Sequence, residues 1–304
     1  MLRFLLSYFS NEKAFTDPAI GNVTLNRYGL HISRILFSDL IYIIRTLPFI
    51  WLHPVLWVRF IKDGYLVLEN FLSSEDFEKV LEEYNLVYDK YGHDNPLIKT
   101  NERGFGSKIS RMGGFDRSDG DSVNRFIEVK NTGAICRLFC KSYKFSSLSL
   151  TLFGRINWLS KHYLYSLVHG DENSNPDIQR EMHRDTYHHA FKTWFYIDDV
   201  DEHSGATEFI VGSHLSSPRR LRWEYHESIR KAMSSHDKGG SFRIAKNDLH
   251  FINYDAAKQI LSKRNTLVIM NVKGFHRRGT ATAGTIRRGL YANFRPWAFF
   301  PFAH

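Results

Sequence analysis

His183 and Asp185 stand two residues apart, and that spacing limits how the segment carrying them can be built. In an extended strand, side chains at i and i+2 leave the same face, so both can grip one ion while Arg184 turns away. A third ligand must then arrive from a different strand. His276 stands just beyond 266–272, an apolar β-rich run ended by Lys273 and Gly274, where a strand end can deliver it.

Two neutral imidazoles and one carboxylate leave three metal positions open, the ligand set of non-haem Fe(II) oxygenases. With 15 histidines in the chain, a bare His-x-Asp says little; order and spacing give it weight. Eleven residues after His276, Arg287 opens another strand-like run, 287–294. There Arg287, Gly289, Tyr291 and Asn293 share one face, and Arg288, Leu290, Ala292 and Phe294 the other. A guanidinium on that strand can clamp the distal end of a dicarboxylate in bidentate fashion, which a lysine does less specifically.

From about 60 to 295 the chain resembles the phytanoyl-CoA dioxygenase-like branch of the Fe(II)/2-oxoglutarate oxygenases. Residues 60–72 are similar to that family's opening strand, followed by an acidic helix start at Ser73, Ser74, Glu75 and Asp76. Residues 193–200, then Ser204-Gly205-Ala206 and Gly212-Ser213-His214, are similar to its strand, tight turn and Pro-Gly-Ser-His segment, with Val211 in place of the proline. The resemblance implies a double-stranded β-helix, a jelly-roll or cupin-like core, mainly β with flanking helices. It also implies that His183, Asp185 and His276 hold Fe(II), with 2-oxoglutarate and O2 as co-substrates. Arg287 would anchor 2-oxoglutarate and Trp194 would pack beside it. Arg278 stands where the family often has a small hydroxyl residue, which suggests a second cationic contact. Halogenation requires a missing carboxylate, so Asp185 favours hydroxylation.

At 304 residues and 43% hydrophobic content, the chain can bury one large core. Short strands dominate from about 146 onward, as in a jelly roll; the turn-prone 171–176 precedes the His183 segment. Helices are predicted over 74–91 and 218–233, the latter inside an insert at about 216–260 expected to form a lid or substrate wall. Cys136 and Cys140, one helical turn apart, are too close for an easy disulfide and read as core thiols, consistent with a cytoplasmic setting.

Residues 1–59 form an apolar, aromatic extension in front of the enzyme domain, 60–304. Asp39, Arg45, Pro48, His53 and Pro54 divide it, making it a poor membrane span, and its start is too short for a secretory signal. Tyr42, Trp51 and Trp57 interleave with Arg34, Arg45, Arg59 and Lys62. That pattern suits either a segment lying in the bilayer interface or a helical layer packed against the barrel or a dimer face.

Residues 205–304 hold 17 Lys or Arg against 6 Asp or Glu, in a chain of net charge +9. The positive excess therefore lies in the catalytic half and favours an anionic substrate. Arg219, Arg220, Arg277, Arg278, Arg288 and Arg295 are the candidate contacts. Nucleic acid is disfavoured, because the nucleic-acid demethylase branch places its arginines farther from the distal histidine. Size, the apolar front end and the Arg-rich segment around His276 resemble the 3-hydroxylases of Kdo, the acidic octulosonic sugar linked to lipid A in Gram-negative bacteria. Those features suggest an anionic lipid-linked sugar met peripherally at the cytoplasmic face of the inner membrane. An acyl-CoA, a soluble acidic metabolite, or a non-catalytic cupin-like binding module are the alternatives.

Overall fold

The computed structural model describes residues 2–91, 108–109, 114–171, 177–252, 254 and 256–302. Most of the turn predicted at 171–176 lies outside them. The strands are β1 (Tyr65–Leu68), β2 (Lys108–Ile109), β3 (Gly114–Asp119), β4 (Ser122–Glu128), β5 (His162–Val168), β6 (His183–Arg184), β7 (Phe191–Tyr196), β8 (Thr207–Phe209), β9 (Phe242–Arg243), β10 (Lys258–Gln259), β11 (Thr266–Asn271), β12 (His276–Arg278) and β13 (Ile286–Phe294). They form two antiparallel sheets, an eight-stranded one ordered β1-β11-β7-β13-β5-β4-β3-β2 and a five-stranded one ordered β10-β8-β12-β6-β9. This is the double-stranded β-helix.

Alternation along the strands makes two cores from one large sheet. On β7, Phe191 and Phe195 join Leu267, Ile269, Leu290 and Phe294 beneath the helical layer. Trp194 and Tyr196 point the other way, onto Val268, Met270, Tyr165 and Phe209 between the sheets. Each such side chain contributes about 1.5–3 kcal/mol by leaving water.

The helices are α1 (Leu2–Tyr8), α2 (Val23–Arg27), α3 (Leu30–Thr46), α4 (Pro54–Asp63), α5 (Ser74–Tyr91), α6 (Tyr143–Phe153), α7 (Pro218–Met233) and α8 (Lys246–Phe251). Both helices predicted from sequence, α5 and α7, have the expected bounds. The opening strand is shorter than 60–72: α4 starts at Pro54 and runs through Phe60 until Gly64, at φ 85°, ends it in a left-handed cap. Cys136 and Cys140 are buried free thiols in a π-helical turn, Ile135–Cys140.

Within the N-terminal 59 residues, the polar side chains of α3 are turned inward. Arg34 donates to the carbonyls of Tyr8, Ser10 and Glu12 and to the Tyr187 hydroxyl. Asp39 pairs with His189 at 3.0 Å and with Lys273, and Arg45 donates to the carbonyls of Trp297 and Phe300. Helix and 3-10 turn together, Leu30–Leu52, are long and apolar enough to cross a membrane. Here its polar stripe is instead hydrogen-bonded to the barrel, and Tyr42 stacks on His189 with centroids 3.9 Å apart.

Candidate active site

β12 pairs with β6 so that His276 lies directly opposite His183, bringing their ring centroids to 4.6 Å. Asp185 follows β6 and is fixed by its backbone: its N–H donates to the Val272 carbonyl at 3.0 Å, and Lys13 donates to its own carbonyl. The three side chains offer one ligand atom each within 4.8 Å of one another. Asp185 Oδ1 lies 3.4 Å from His183 Nε2 and 3.7 Å from His276 Nε2.

The donor set fits a metal ion. Each imidazole directs Nδ1 at a backbone carbonyl, His183 at Glu181 (2.7 Å) and His276 at Gly274 (3.0 Å). That contact fixes the tautomer that leaves Nε2 a lone-pair donor. His276 Nε2 is buried and has no hydrogen-bond partner, an uncompensated atom that a metal would satisfy. Burial and the neighbouring His183 hold the His276 imidazole down to about 3, hence neutral. Burial alone would raise the Asp185 carboxyl; Lys192, with the two imidazoles, outweighs it and holds the group well below the usual carboxylate range.

Arg287 reaches the same interior from β13, as alternation requires. Its guanidinium is buried, donates to the Gly205 carbonyl and to Tyr165 Oη at 3.1 Å, and leaves Nε without a partner. A cavity of about 50 Å³ is lined by His183, His276, Lys192, Trp194, Tyr165 and Arg287 among others. Trp194 thus borders the space between triad and guanidinium. The cavity shares Arg117, Phe126, Gln179, Lys192 and Tyr291 with a larger cleft of about 520 Å³.

The other arginines named from sequence divide. Arg295 is exposed and lines the larger cleft. Arg277 lies at the edge of the small cavity, paired with Glu208 at 2.7 Å. Arg278 also borders it, but Asp177 and Asp119 (3.0 Å) hold its guanidinium. A cation buried among carboxylates is largely compensated, so Arg278 offers a second contact for 2-oxoglutarate only in competition with Asp177 and Asp119. Arg288 points out of the barrel onto Asp198 at 2.8 Å, opposite to Arg287. Arg220 is buried against Glu224, and Arg219 is exposed on α7. None of these last three lines either site cavity.

The insert helix α7 braces the metal strand from behind. Glu224 accepts from Arg184 at 2.7 and 2.8 Å, from Arg220 at 2.8 Å and pairs with His31 at 2.9 Å, all buried. Arg184, turned away between the two ligands, is thereby locked. Within the insert expected to form a lid or substrate wall, the helix is a buttress, and Ser241 lines the large cleft. Lys192, unremarked in the sequence, places Nζ 2.7 Å from Asp185 Oδ2. It lies two residues before Trp194 on β7, and alternation alone could have found it.

A two-histidine, one-carboxylate site beside a buried arginine, inside a double-stranded β-helix, defines an Fe(II)- and 2-oxoglutarate-dependent oxygenase. Residues 60–288 match the family model described as phytanoyl-CoA dioxygenase (PhyH), and the chain belongs to that family. No curated protein matches the sequence. Among solved structures it is similar to the non-heme α-ketoglutarate-dependent epimerase SnoN from nogalamycin biosynthesis, at 16% identity and TM-score 0.47 over 79% of this chain and 84% of that one. AviO1 from Streptomyces viridochromogenes Tue57 is 12% identical (TM-score 0.45, 82% and 95% covered). EctD from S. alaskensis, in complex with 2-oxoglutarate and 5-hydroxyectoine, is 11% identical (TM-score 0.42, 82% and 83% covered). Identities this low carry no substrate across.

Proposed function

We propose that the protein hydroxylates an anionic substrate, with the Kdo sugar of Kdo-lipid A as the named candidate. The observation that carries hydroxylation is that His183 and His276, gathered with Asp185, face Arg287 across one cavity. His183, Asp185 and His276 would hold Fe(II), while Arg287 meets the distal carboxylate of 2-oxoglutarate and Trp194 flanks it. Bound Fe(II), with 2-oxoglutarate and O2, supplies the oxidant for an unactivated C–H bond.

An anionic substrate is supported by the cleft beside the triad: Lys13, Arg155 and Arg295 line it together with Arg117, Lys161 and Lys192, which pair with Asp119, Glu128 and Asp185. Cations converging on a concave site raise the local concentration of anions. Supply of Fe(II) and 2-oxoglutarate favours the cytoplasmic side of the inner membrane.

The test is mass spectrometry of Kdo-lipid A, with its Kdo still attached, from cells with and without the protein, expecting a gain of one oxygen atom on the Kdo region. Purified enzyme should release succinate with Kdo-lipid A, and His183→Ala or Asp185→Ala should abolish the release. No mass difference would turn the search to acyl-CoAs and soluble acids.

A further inference from the structure

The outer face of α3 is as apolar as its inner face is polar. Leu36, Leu40, Ile43, Ile44 and Leu47, at helical spacing, are all at least 39% exposed. Trp51 (74% exposed), Val55 and Val58 continue the surface through the 3-10 turn onto α4. Exposed apolar residues scattered singly are ordinary, whereas a contiguous run of them marks a surface built to be covered.

The face extends beyond α3. Phe9, after α1, lies 6.0 Å from Phe37 and 5.8 Å from Phe299 between ring centroids, and its carbonyl accepts from Trp297 Nε1 at 2.7 Å. Arg45, beneath α3, holds the Phe300 carbonyl at 2.9 Å. Leu6, Trp297 and Phe300, each 48% exposed or more, add apolar surface on the segments that flank α3.

Charge says what covers it. Between Gly29 and Lys62 the only carboxylate is Asp39, which is turned inward onto Lys273 and His189. The exposed charges on that stretch are Arg59 and Lys62, one turn apart on α4 beside Val55 and Val58. An apolar stripe with indole at its edge and two exposed cations beside it, against the part-exposed carboxylate of Asp63 at the end of α4, suits the interface of an anionic bilayer.

The same segments lead to the cationic cleft. Arg295 stands two residues before Trp297, and Lys13 four after Phe9. Asn11 ties these two segments together through the Pro296 carbonyl (3.2 Å) and the Ala298 N–H (2.8 Å). Arg155 follows Gly154, whose backbone packs on Arg45. We infer that the α1–α3–α4 face and the C-terminal tail dock on an anionic lipid bilayer, which sets the cleft mouth at the headgroup layer and makes the substrate an anionic amphiphile. The substrate half rests on the hydroxylase reading; the docking half does not.

The docking is read without turnover, by flotation of the full-length protein with phosphatidylglycerol/phosphatidylcholine vesicles and with phosphatidylcholine vesicles alone. Wild type is expected to float with the anionic vesicles only, with a blue shift of tryptophan emission. Leu40→Ser/Leu47→Ser/Trp51→Ser should reduce partitioning at least about tenfold, and Arg59→Gln/Lys62→Gln should reduce it several-fold. Both variants should keep the wild-type melting temperature and Mn(II) affinity, since all five side chains are exposed. Wild type remaining unbound, binding neutral vesicles equally, or binding unchanged in the triple variant overturns the proposal. So does a wild-type dimer that the triple variant dissociates, because a second copy would then cover the face. Vesicle binding with no hydroxylation of any lipid-linked anion leaves docking standing and rejects the substrate.

Discussion

Lys192 engages one oxygen of Asp185 and leaves the other to the imidazoles: Nζ sits 2.7 Å from Oδ2, while Oδ1 faces His183 and His276 at 3.4 and 3.7 Å. The carboxylate is thus oriented to give the triad a single ligand atom. In Lys192→Met the buried carboxylate loses its cation, and the metal-free protein should lose about 3 kcal/mol. Mn(II), a redox-quiet stand-in, should then raise Tm by more than it does in wild type. An equal or smaller rise would mean that Lys192 does not share this carboxylate with the metal.

Arg287→Ala removes the one buried guanidinium among the described residues that faces the cavity without a carboxylate partner. A charged hydrogen-bonded contact is worth about 1.5–3 kcal/mol, so the 2-oxoglutarate concentration for half-maximal succinate release should rise roughly 10- to 100-fold. Arg287→Lys should recover part of it, since charge remains but the planar fork does not. Mn(II) affinity should be unchanged; if it falls equally, Arg287 supports the site and does not anchor the co-substrate.

Glu224→Gln leaves Arg184 and Arg220 without a buried counter-charge. Breaking such a network costs about 3–5 kcal/mol, which urea unfolding would report as a lower midpoint. Because Arg184 stands between His183 and Asp185, weaker Mn(II) binding should accompany it. Intact metal affinity in a destabilised variant would limit α7 to a packing role.

His162, His189 and His214 are held down to about 4, 4 and 3, chiefly by burial. Unfolded, each titrates near 6.5. Between about pH 6.5 and 4 the unfolded chain therefore binds protons that the folded one refuses, and stability falls on acidification. Above pH 6.5 these residues add no slope. Each contributes at most about 1.4 kcal/mol per pH unit, so urea midpoints should drop steeply from pH 6.5 to 5. A flat profile would show that the histidines protonate in place.

Much of the site was legible because strand alternation is a local rule. It put Arg287 inside and Arg288 on the opposite face, and would have put Lys192 beside Trp194. Partner choice was not legible. Arg288 meets Asp198, 90 residues away, Arg184 meets Glu224 across 40, and Lys273 meets Asp39 across 234. Basic residues near the metal motif in sequence read as substrate contacts; four of them, Arg220, Arg277, Arg278 and Arg288, instead pair with carboxylates of the protein itself. Likewise the lid expected of the insert became a buttress, since amphipathic spacing gives a helix but not the surface it packs on.

By itself the sequence determined the metal-site residue types, the eleven-residue step from His276 to Arg287, and the strands and helices that carry them, because each follows from short-range geometry and side-chain chemistry. Only the tertiary structure decided which cations face the cleft, which are neutralised, and which side of α3 meets the barrel. Those outcomes depend on desolvation, and whether a charge keeps its water is settled by what distant segments bring against it.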